Sequence, residues 1–301
     1  MNRNKTMLKL ASVLLVVGVA LYFVGMAAFA SESPAAGSKV TEITYVKEDY
    51  SVSADGISQI SVKTRNMPVT VTPYDGNEIT LHYYTSKEDP YEVSLENGVL
   101  TLKYKYDNLF SVGSWLKGST IFNFMNNTNP YVELVMPKAY ADDLKLNTSN
   151  ASIHVSGLTG AGDIRMETSN SSIDISDVTA AGIGAQTSNG SVTLANAVIA
   201  GVVDVKSSNG TIHAKKVAAK DRLTLNTSNA RINVEQITSA AIELHSSNGS
   251  ISGTVAGKRS DYTISSDTSN ADNSLGDGGK GPSSLTVNTS NGDIRVTFQD
   301  D

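Results

Sequence analysis

The sequence contains no cysteine among its 301 residues. That absence excludes disulfide bonds, thiol nucleophiles, thiolate metal ligands and lipidation at a cysteine. Proline is also scarce, and none occurs between Pro137 and Pro282. Long interior strands require such a gap because proline cannot donate a ladder hydrogen bond. The fold must therefore rest on side-chain packing and backbone pairing.

An excess of basic residues is likewise missing. The formal charge is −6, and because the first thirty residues carry three cations and no carboxylate, the remainder carries −9. This balance repels nucleic acid and anionic lipid, so we expect no nucleic acid partner. The sequence also lacks a phosphate-binding loop, a calcium-binding glycine-aspartate repeat and a nucleophile-base motif. We therefore expect no cofactor, no bound metal and no catalytic residues.

The N-terminus contains the one long apolar run. Residues 10–30 carry no charge and are numerous enough to cross a bilayer as a helix. The basic stub at residues 1–9 favours a cytoplasmic N-terminus. We predict a single-pass anchor in the cell membrane, a linker at 31–39, and the bulk of the chain outside the cytoplasm. Alternatively, the run is a signal peptide cleaved near Ala30, which would give a secreted protein.

A polar triplet, Thr/Ser-Ser-Asn, recurs at intervals of 19 to 22 residues. Regular recurrence of this kind is typical of repeat architectures. The eight copies end at Asn150, Asn170, Asn189, Asn209, Asn229, Asn248, Asn270 and Asn291.

Apolar residues alternate on both sides of each triplet. They stand six and four residues before the asparagine, and three and five residues after it. A period of two predicts a strand on each side. A third apolar position is predicted eight or nine residues after the asparagine, at Leu158, Val178, Val198, Val217 and Ile237.

Residues 144–301 are therefore predicted to be all-β, in the form of a β-solenoid. We expect a single-stranded, right-handed β-helix of about eight 20-residue coils, because so small a unit buries its apolar face only by stacking on its neighbours. In the seventh copy, Ser266 and Asn273 occupy inward positions, which predicts a loosened coil.

The triplet is predicted to be the corner between the two strands. Asparagine tolerates a left-handed backbone and bonds to nearby main chain, and the residue after it is always Ala, Ser or Gly. Stacked corners would align the eight asparagines in a ladder of amide hydrogen bonds. This scaffold interpretation is favoured over a repeated ligand site. His154 and His213 lie three coils apart, roughly 14 Å at ladder spacing, too far to share a metal.

Residues 40–143 have a different composition, with 14 of the 19 aromatic residues. Alternating segments, and Asn97-Gly98 as a hairpin turn, predict a β-rich portion that caps the solenoid, either as a second unit or as irregular first coils. The residues around Asn66 resemble a degenerate repeat. The segment 107–129 lacks strand periodicity and either folds over the core or forms an apolar flap that contacts a membrane or partner. The flap candidates are Phe110, Trp115, Leu116, Phe122 and Phe124.

The succession "ENGVLTLKY", "VELVMPKAYADDLKLNTSNASIHVSGL" and repeated Thr-Ser-Asn-Gly units resembles the bacterial putative-adhesin family of unknown function. That family includes LiaG-type proteins, which are encoded with cell-envelope stress systems of Gram-positive bacteria. The resemblance covers about residues 40–301. It implies a β-helical ectodomain and no catalytic residues.

Three functional hypotheses follow. The first is a membrane-anchored binding protein whose partners are envelope proteins or cell-wall polymers, in an adhesin-like or stress-sensing role. The second is a passive structural spacer or surface component. The third, an enzyme acting on wall polysaccharide, is disfavoured because coils of nearly constant length leave no long loops to wall a groove.

Overall fold

The computed structural model describes residues 43–105 and 129–300. Every regular element in this part of the chain is a strand, apart from one short 3-10 turn at Arg259–Asp261. The strands are β1 (Val46–Ser53), β2 (Gln59–Lys63), β3 (Val69–Tyr74), β4 (Glu78–Thr85), β5 (Tyr91–Glu96), β6 (Val99–Tyr104), β7 (Val132–Pro137), β8 (Asp143–Asn147), β9 (Ile153–Ser156), β10 (Ala161–Thr168), β11 (Ile173–Thr187), β12 (Val192–Ile199), β13 (Val202–Ser207), β14 (Ile212–Thr227), β15 (Ile232–Ser246), β16 (Ile251–Val255), β17 (Tyr262–Thr268), β18 (Ser283–Thr289) and β19 (Ile294–Phe298).

Some predicted features fall outside the described residues. These are the anchor at 10–30, the cleavage site near Ala30 and the five flap candidates. Within residues 43–105 and 129–300, the structure contains no helix that is both long and apolar enough to span a bilayer.

The strands stack in parallel ladders on two faces of the molecule. The first face contains the strands that precede each triplet, in the spatial order β6, β2, β8, β10, β11, β13, β14, β15, β18, β17. The second face contains the strands that follow the triplet, in the order β7, β3, β9, β11, β12, β14, β15, β16, β19. Three long strands, β11, β14 and β15, serve both faces, so each coil passes from one to the other.

The predicted inward columns form the core. Around Asn229, for example, Leu223, Leu225 and Ile232 are fully buried, and equivalent residues are aligned across the ladders. Burying an aliphatic side chain of this size is worth about 1.5–3 kcal/mol, and only stacking removes both sides of each coil from water. The alternation with period two is therefore confirmed as a strand pattern.

The prediction of a third inward apolar column was wrong at one residue. Val198 is 59% exposed, whereas its neighbour Ala197 is buried. In the other coils the inward residue stands eight positions after the asparagine, as Val178 and Val217 do. Strict alternation from Val192 and Leu194 would point Val198 inward, but the corner at Asn196, with φ of 51°, shifts the alternation by one residue. Ala197 therefore points inward and Val198 outward.

At the N-terminal end, the aromatic portion continues the ladders. β2 and β3 stack on β8 and β9, and β6 and β7 stack outside them. Antiparallel strands complete this end, since β5 pairs with β6, β4 with β7, and β1 with β4. In chain order, the coil of β2 and β3 comes first and the outermost coil, of β6 and β7, comes second. The chain then passes the first coil again and begins β8 on its other side.

The same reversal occurs at the C-terminal end. β18 lies between β15 and β17, so the coil of Asn291 is inserted beneath the coil of Asn270. The return loop approaches the outer coil closely, because a Cβ on Gly279 would overlap the carbonyl oxygen of Tyr262. Arg259 holds the loop by donating hydrogen bonds to the carbonyl oxygens of Leu275 and Gly276 at 2.9 and 3.1 Å.

The polar residues in the inward columns of this outer coil pair with each other. Asn273 Nδ2 donates to Ser266 Oγ at 2.9 Å and to the Ser266 carbonyl oxygen at 3.1 Å. Its Oδ1 accepts hydrogen bonds from the backbone of Leu275 and Gly276. These bonds satisfy polar groups that would otherwise oppose packing at the end of the core.

Candidate binding surface

The triplet asparagines lie in one continuous line along the molecule. Each Nδ2 donates to the Oδ1 of the neighbouring coil at 2.6–2.8 Å. The line begins at Asn66 and ends with Asn291 followed by Asn270, in agreement with the strand order. Although the side chains are exposed, their amide groups bond to one another, which is the geometry that the scaffold interpretation predicts. We call this line the asparagine ladder.

The first residue of each triplet adds a second, buried line of hydrogen bonds. Ser246, for example, is fully buried; its Oγ donates to the Ala230 carbonyl oxygen at 3.0 Å and accepts from the Gly249 amide at 2.9 Å. The same donation recurs at Thr168, Thr187, Ser207, Thr227, Thr268 and Thr289. Each hydroxyl thus joins two adjacent coils.

The small residue after the asparagine has a steric cause in the coils that carry glycine. A Cβ on Gly210 would overlap the carbonyl oxygen of Gly190, and one on Gly249 would overlap that of Ala230. Close packing between the backbones of adjacent coils therefore requires glycine at these two positions.

The expected left-handed backbone at these asparagines was wrong. Among the described residues, the non-glycine residues with positive φ near the repeats are Asp177, Asn196, Lys216 and Gln236, at +51° to +55°. They stand seven residues after the triplet asparagine, at a second corner of the coil. The ladder asparagines keep ordinary φ because the inter-coil hydrogen bonds, rather than a left-handed turn, shape the first corner.

The outer surface of the first face contains a hollow. The outward residues of neighbouring coils are mostly large or polar, but β11 presents Gly182 and Gly184 there. Two adjoining depressions of about 430 and 300 Å³ lie over these glycines. We call them together the glycine hollow.

Ion pairs form two walls of the glycine hollow. On one side Arg165 Nη2 lies 3.0 Å from Asp163 Oδ2, and on the other Lys206 Nζ lies 2.7 Å from Asp204 Oδ2. Asp204 Oδ1 is buried and has no hydrogen-bond partner in the described part of the chain. Lys145 and Glu167 complete the charged lining, so its three cations and three anions balance.

The two glycines of the hollow differ in their surroundings, and positive φ explains neither. Both lie within β11, and neither has a positive φ. A Cβ on Gly182 would lie 2.6 Å from Asp163 Oδ1, so a side chain there would require Asp163 to move. At Gly184 the nearest atom to an added Cβ would be Arg165 Cγ at 3.9 Å, an ordinary contact distance. Glycine inside a strand weakens it and often marks close approach of a ligand or another backbone. The fold would therefore accommodate a side chain at position 184, and the glycine leaves that space on the outer surface empty.

The histidines do not assemble a site. His154, His213 and His245 lie exposed on the outer surface, and no group of residues suited to hold a metal occurs in residues 43–105 or 129–300. His82 Nδ1 contacts Asp49 Oδ1 at 2.6 Å, and this hydrogen bond lowers the pKa of Asp49. The pair links the antiparallel strands β1 and β4, in which Asp49 lies opposite His82.

A cluster of aromatic and charged residues lies near the N-terminal end. The Arg65 guanidinium lies 3.6 Å from the centre of the Tyr104 ring, and the Arg65 amide donates to Tyr91 Oη at 3.1 Å. Burial raises the pKa of Tyr91 and of Asp89. Since Tyr91 and Tyr104 are buried, the cluster is part of the packing.

The connection that carries the flap candidates joins β6 to β7, at the place in the coil where the asparagine corner joins β2 to β3. Between β2 and β3 this corner takes residues 64–68, whereas between β6 and β7 the chain uses residues 105–131. The flap residues themselves lie outside the described residues, and their role stays a prediction.

Sequence reasoning missed the glycine hollow. Gly184 stands in an outward column with Lys145, Arg165 and Asp204, which differ so much in chemistry that they indicate only solvent exposure. The available signal was the pair Gly182 and Gly184 inside a strand-period pattern. Asn66 gave a clearer signal as a degenerate repeat, and it is the first member of the ladder.

Comparison with solved structures finds likenesses at low identity. A crystal structure of a putative adhesin from Bacteroides fragilis NCTC 9343 is 12% identical, with a TM-score of 0.38, covering 84% of this chain and 97% of that one. One of a putative adhesin from Parabacteroides merdae ATCC 43184 is 12% identical, with a TM-score of 0.33, covering 84% and 96%. One of a putative cell adhesion protein from Clostridium sporogenes ATCC 15579 is 10% identical, with a TM-score of 0.27, covering 85% and 100%.

No curated protein matches the sequence. The family model described as Toastrack DUF4097 matches residues 57–297, a range that includes the coils from β2 to β19. The chain therefore belongs to the Toastrack DUF4097 family.

Proposed function

We propose that this protein is a membrane-anchored, extracytoplasmic binding protein that holds a neutral, hydroxyl-rich polymer, such as a glycan strand of the cell envelope, in the glycine hollow. The observation that carries the proposal is Gly184, which keeps a strand position empty although an added Cβ would meet nothing closer than 3.9 Å. The proposed role is binding without catalysis.

The chemistry of the lining favours a neutral ligand. Lys145, Arg165 and Lys206 balance Asp163, Glu167 and Asp204, so a polyanion or polycation would meet like charges on either wall. Carboxylate and guanidinium groups have planar arrays of acceptors and donors, which suit the adjacent hydroxyl groups of a sugar. From Lys145 to Lys206 the hollow spans three ladder steps, about 14 Å, enough for a short saccharide.

A passive spacer is the second candidate, and one observation favours it. The asparagine ladder joins every triplet coil to the next by the same bond, which gives a uniform, rigid body. A spacer uses that rigidity alone and needs no hollow.

Calorimetric titration of the full-length protein in detergent, with neutral oligosaccharides of N-acetylglucosamine, tests the binding proposal. Gly184→Trp should fill the hollow and weaken binding at least about tenfold, which corresponds to 1.4 kcal/mol. Thr224→Trp, in the same outward column two coils away, is the matched control and should bind normally. Absence of binding by the wild-type protein would favour the spacer, and cleavage of the oligosaccharides would indicate an enzyme.

The membrane anchor and the stress-response association are separate parts of the proposal. Membrane fractions of cells should contain the protein, and deletion of residues 10–30 should remove it from them. Protease added outside the cell should digest the coils. Copurification with a membrane-bound sensor kinase would support a stress-sensing role, and recovery of the protein without such a partner would argue against it.

A further inference from the structure

Five asparagines are followed directly by glycine: Asn97, Asn189, Asn209, Asn248 and Asn291. This dipeptide is chemically vulnerable because glycine has no side chain to hinder the approach of its nitrogen to the asparagine Cγ. The glycine nitrogen bonds to Cγ, the Cγ–Nδ2 bond breaks, and Nδ2 leaves as ammonia with the glycine proton. Water then opens the resulting succinimide to aspartate or isoaspartate.

Four of these steps lie in the asparagine ladder, where both reacting groups are occupied. Each glycine amide donates to the hydroxyl three residues earlier, at 2.9–3.2 Å. Each asparagine amide also bonds to the coils on either side; Asn209, for example, is 2.7 Å from both Asn189 and Asn229. Rotation of Cγ toward the glycine nitrogen must therefore break hydrogen bonds on two sides.

The product would also fit the ladder poorly. Replacing Nδ2 of Asn209 by a carboxylate oxygen would remove the donor to Asn189 and place two acceptors against each other. Such a pair is repulsive, and it would leave Asn189 Oδ1 without its partner. The ladder thus opposes both the reaction and its product.

Asn97 is in a different environment. It stands at the exposed tip of the β5–β6 hairpin, with φ of 52°, and Gly98 has φ of 78°. The Gly98 carbonyl oxygen accepts from the Ser58 amide at 2.8 Å. Within the described residues, however, neither the Gly98 N–H nor the Asn97 side chain has a hydrogen-bond partner.

We propose that Asn97 is the site of spontaneous deamidation in the folded protein, and that the asparagine ladder protects the four other Asn-Gly steps. The proposal rests on the hydrogen bonds of the ladder and is independent of any ligand.

Peptide mass mapping of the purified protein, after incubation at mildly alkaline pH, tests it. Asn97 should convert at least about tenfold faster than each ladder asparagine, because hydrogen bonds on two sides must break first at the ladder sites. In urea, which unfolds the protein, the deamidation rates of the five asparagines should become similar. Conversion of Asn209 or Asn248 as fast as Asn97 in the folded protein would overturn the proposal.

A ladder variant separates protection by hydrogen bonds from general burial. Asn170→Ala removes the closer acceptor of Asn189 Nδ2, at 2.7 Å, and leaves only the Ser169 carbonyl oxygen at 3.5 Å. The partners of Asn248 stay in place. The measured quantity is the ratio of conversion at Asn189 to conversion at Asn248, which also corrects for any global loss of folding. The ratio should rise several-fold, and an unchanged ratio would contradict the proposed mechanism. Asn97→Gly, which retains a residue suited to this turn, should abolish conversion at the hairpin.

Discussion

The two corners of each coil use opposite solutions to the same geometric problem. The first corner has constant letters, ordinary φ and hydrogen bonds to the coils on both sides. The second corner has φ near +50° and variable residues, among them Lys216 and Gln236. The positions that keep the same residues from coil to coil are therefore the ones that contact the adjacent coils. The strained backbone, with positive φ, occurs at positions where the residues vary.

The largest expected effect is steric and belongs to the first corner. Gly210→Ala places a Cβ on the carbonyl oxygen of Gly190, and we expect a loss of about 3 kcal/mol in the free energy of unfolding. Chemical denaturation measures it. Gly184→Ala, whose Cβ would have its nearest neighbour at 3.9 Å, should change stability by less than about 0.5 kcal/mol. Equal losses in both variants would contradict the close-packing explanation.

The next effect comes from the buried hydroxyls. Ser246→Ala removes the partner of both the Ala230 carbonyl and the Gly249 amide, and it should cost about 2 kcal/mol because buried polar groups are left unpaired. Ser208→Ala, at an exposed position of the triplet two coils away, is the control for thermal unfolding. A loss of similar size at Ser208 would show that burial is not the cause.

The ladder itself should contribute less per residue, in proportion to the bonds lost. Asn209→Ala breaks two amide bonds and should cost about 1–2 kcal/mol, whereas Asn270→Ala, at the end of the ladder, breaks one and should cost about half as much. Both variants are compared by urea denaturation. If Asn209→Ala left stability intact but abolished glycan binding, the ladder would be a ligand site and the scaffold interpretation would be wrong.

The smallest effect is a gain at the second corner. Lys216 has φ of +52°, which costs an ordinary residue about 1–2 kcal/mol. Lys216→Gly should therefore raise the free energy of unfolding by roughly 0.5 kcal/mol, after the added backbone entropy of the unfolded state is included. Lys145→Gly, in an extended strand, should lower it. A loss of stability at Lys216 would show that its side chain, rather than its backbone, matters there.

The ends of the molecule show where the order of the repeats ceases to predict structure. Sequence order places the coil of Asn270 before that of Asn291, but in space β18 is inserted between β15 and β17. The N-terminal end repeats this arrangement, since β6 lies outside β2. At both ends, the turns and polar residues between the strands would allow the two outer coils to stack in either order. The pairing of strands that are distant in sequence determines which order forms.

The sequence by itself determined the strands of the repeat, the inward columns next to each triplet and the spacing of the corners. These features depend on alternation between neighbouring residues, which a single chain segment expresses locally. Only the tertiary structure decided the order of the end coils, the left-handed residue of the second corner and the glycine hollow. Each of these depends on which coil lies beside which, and a one-dimensional pattern of apolar residues does not record that neighbour.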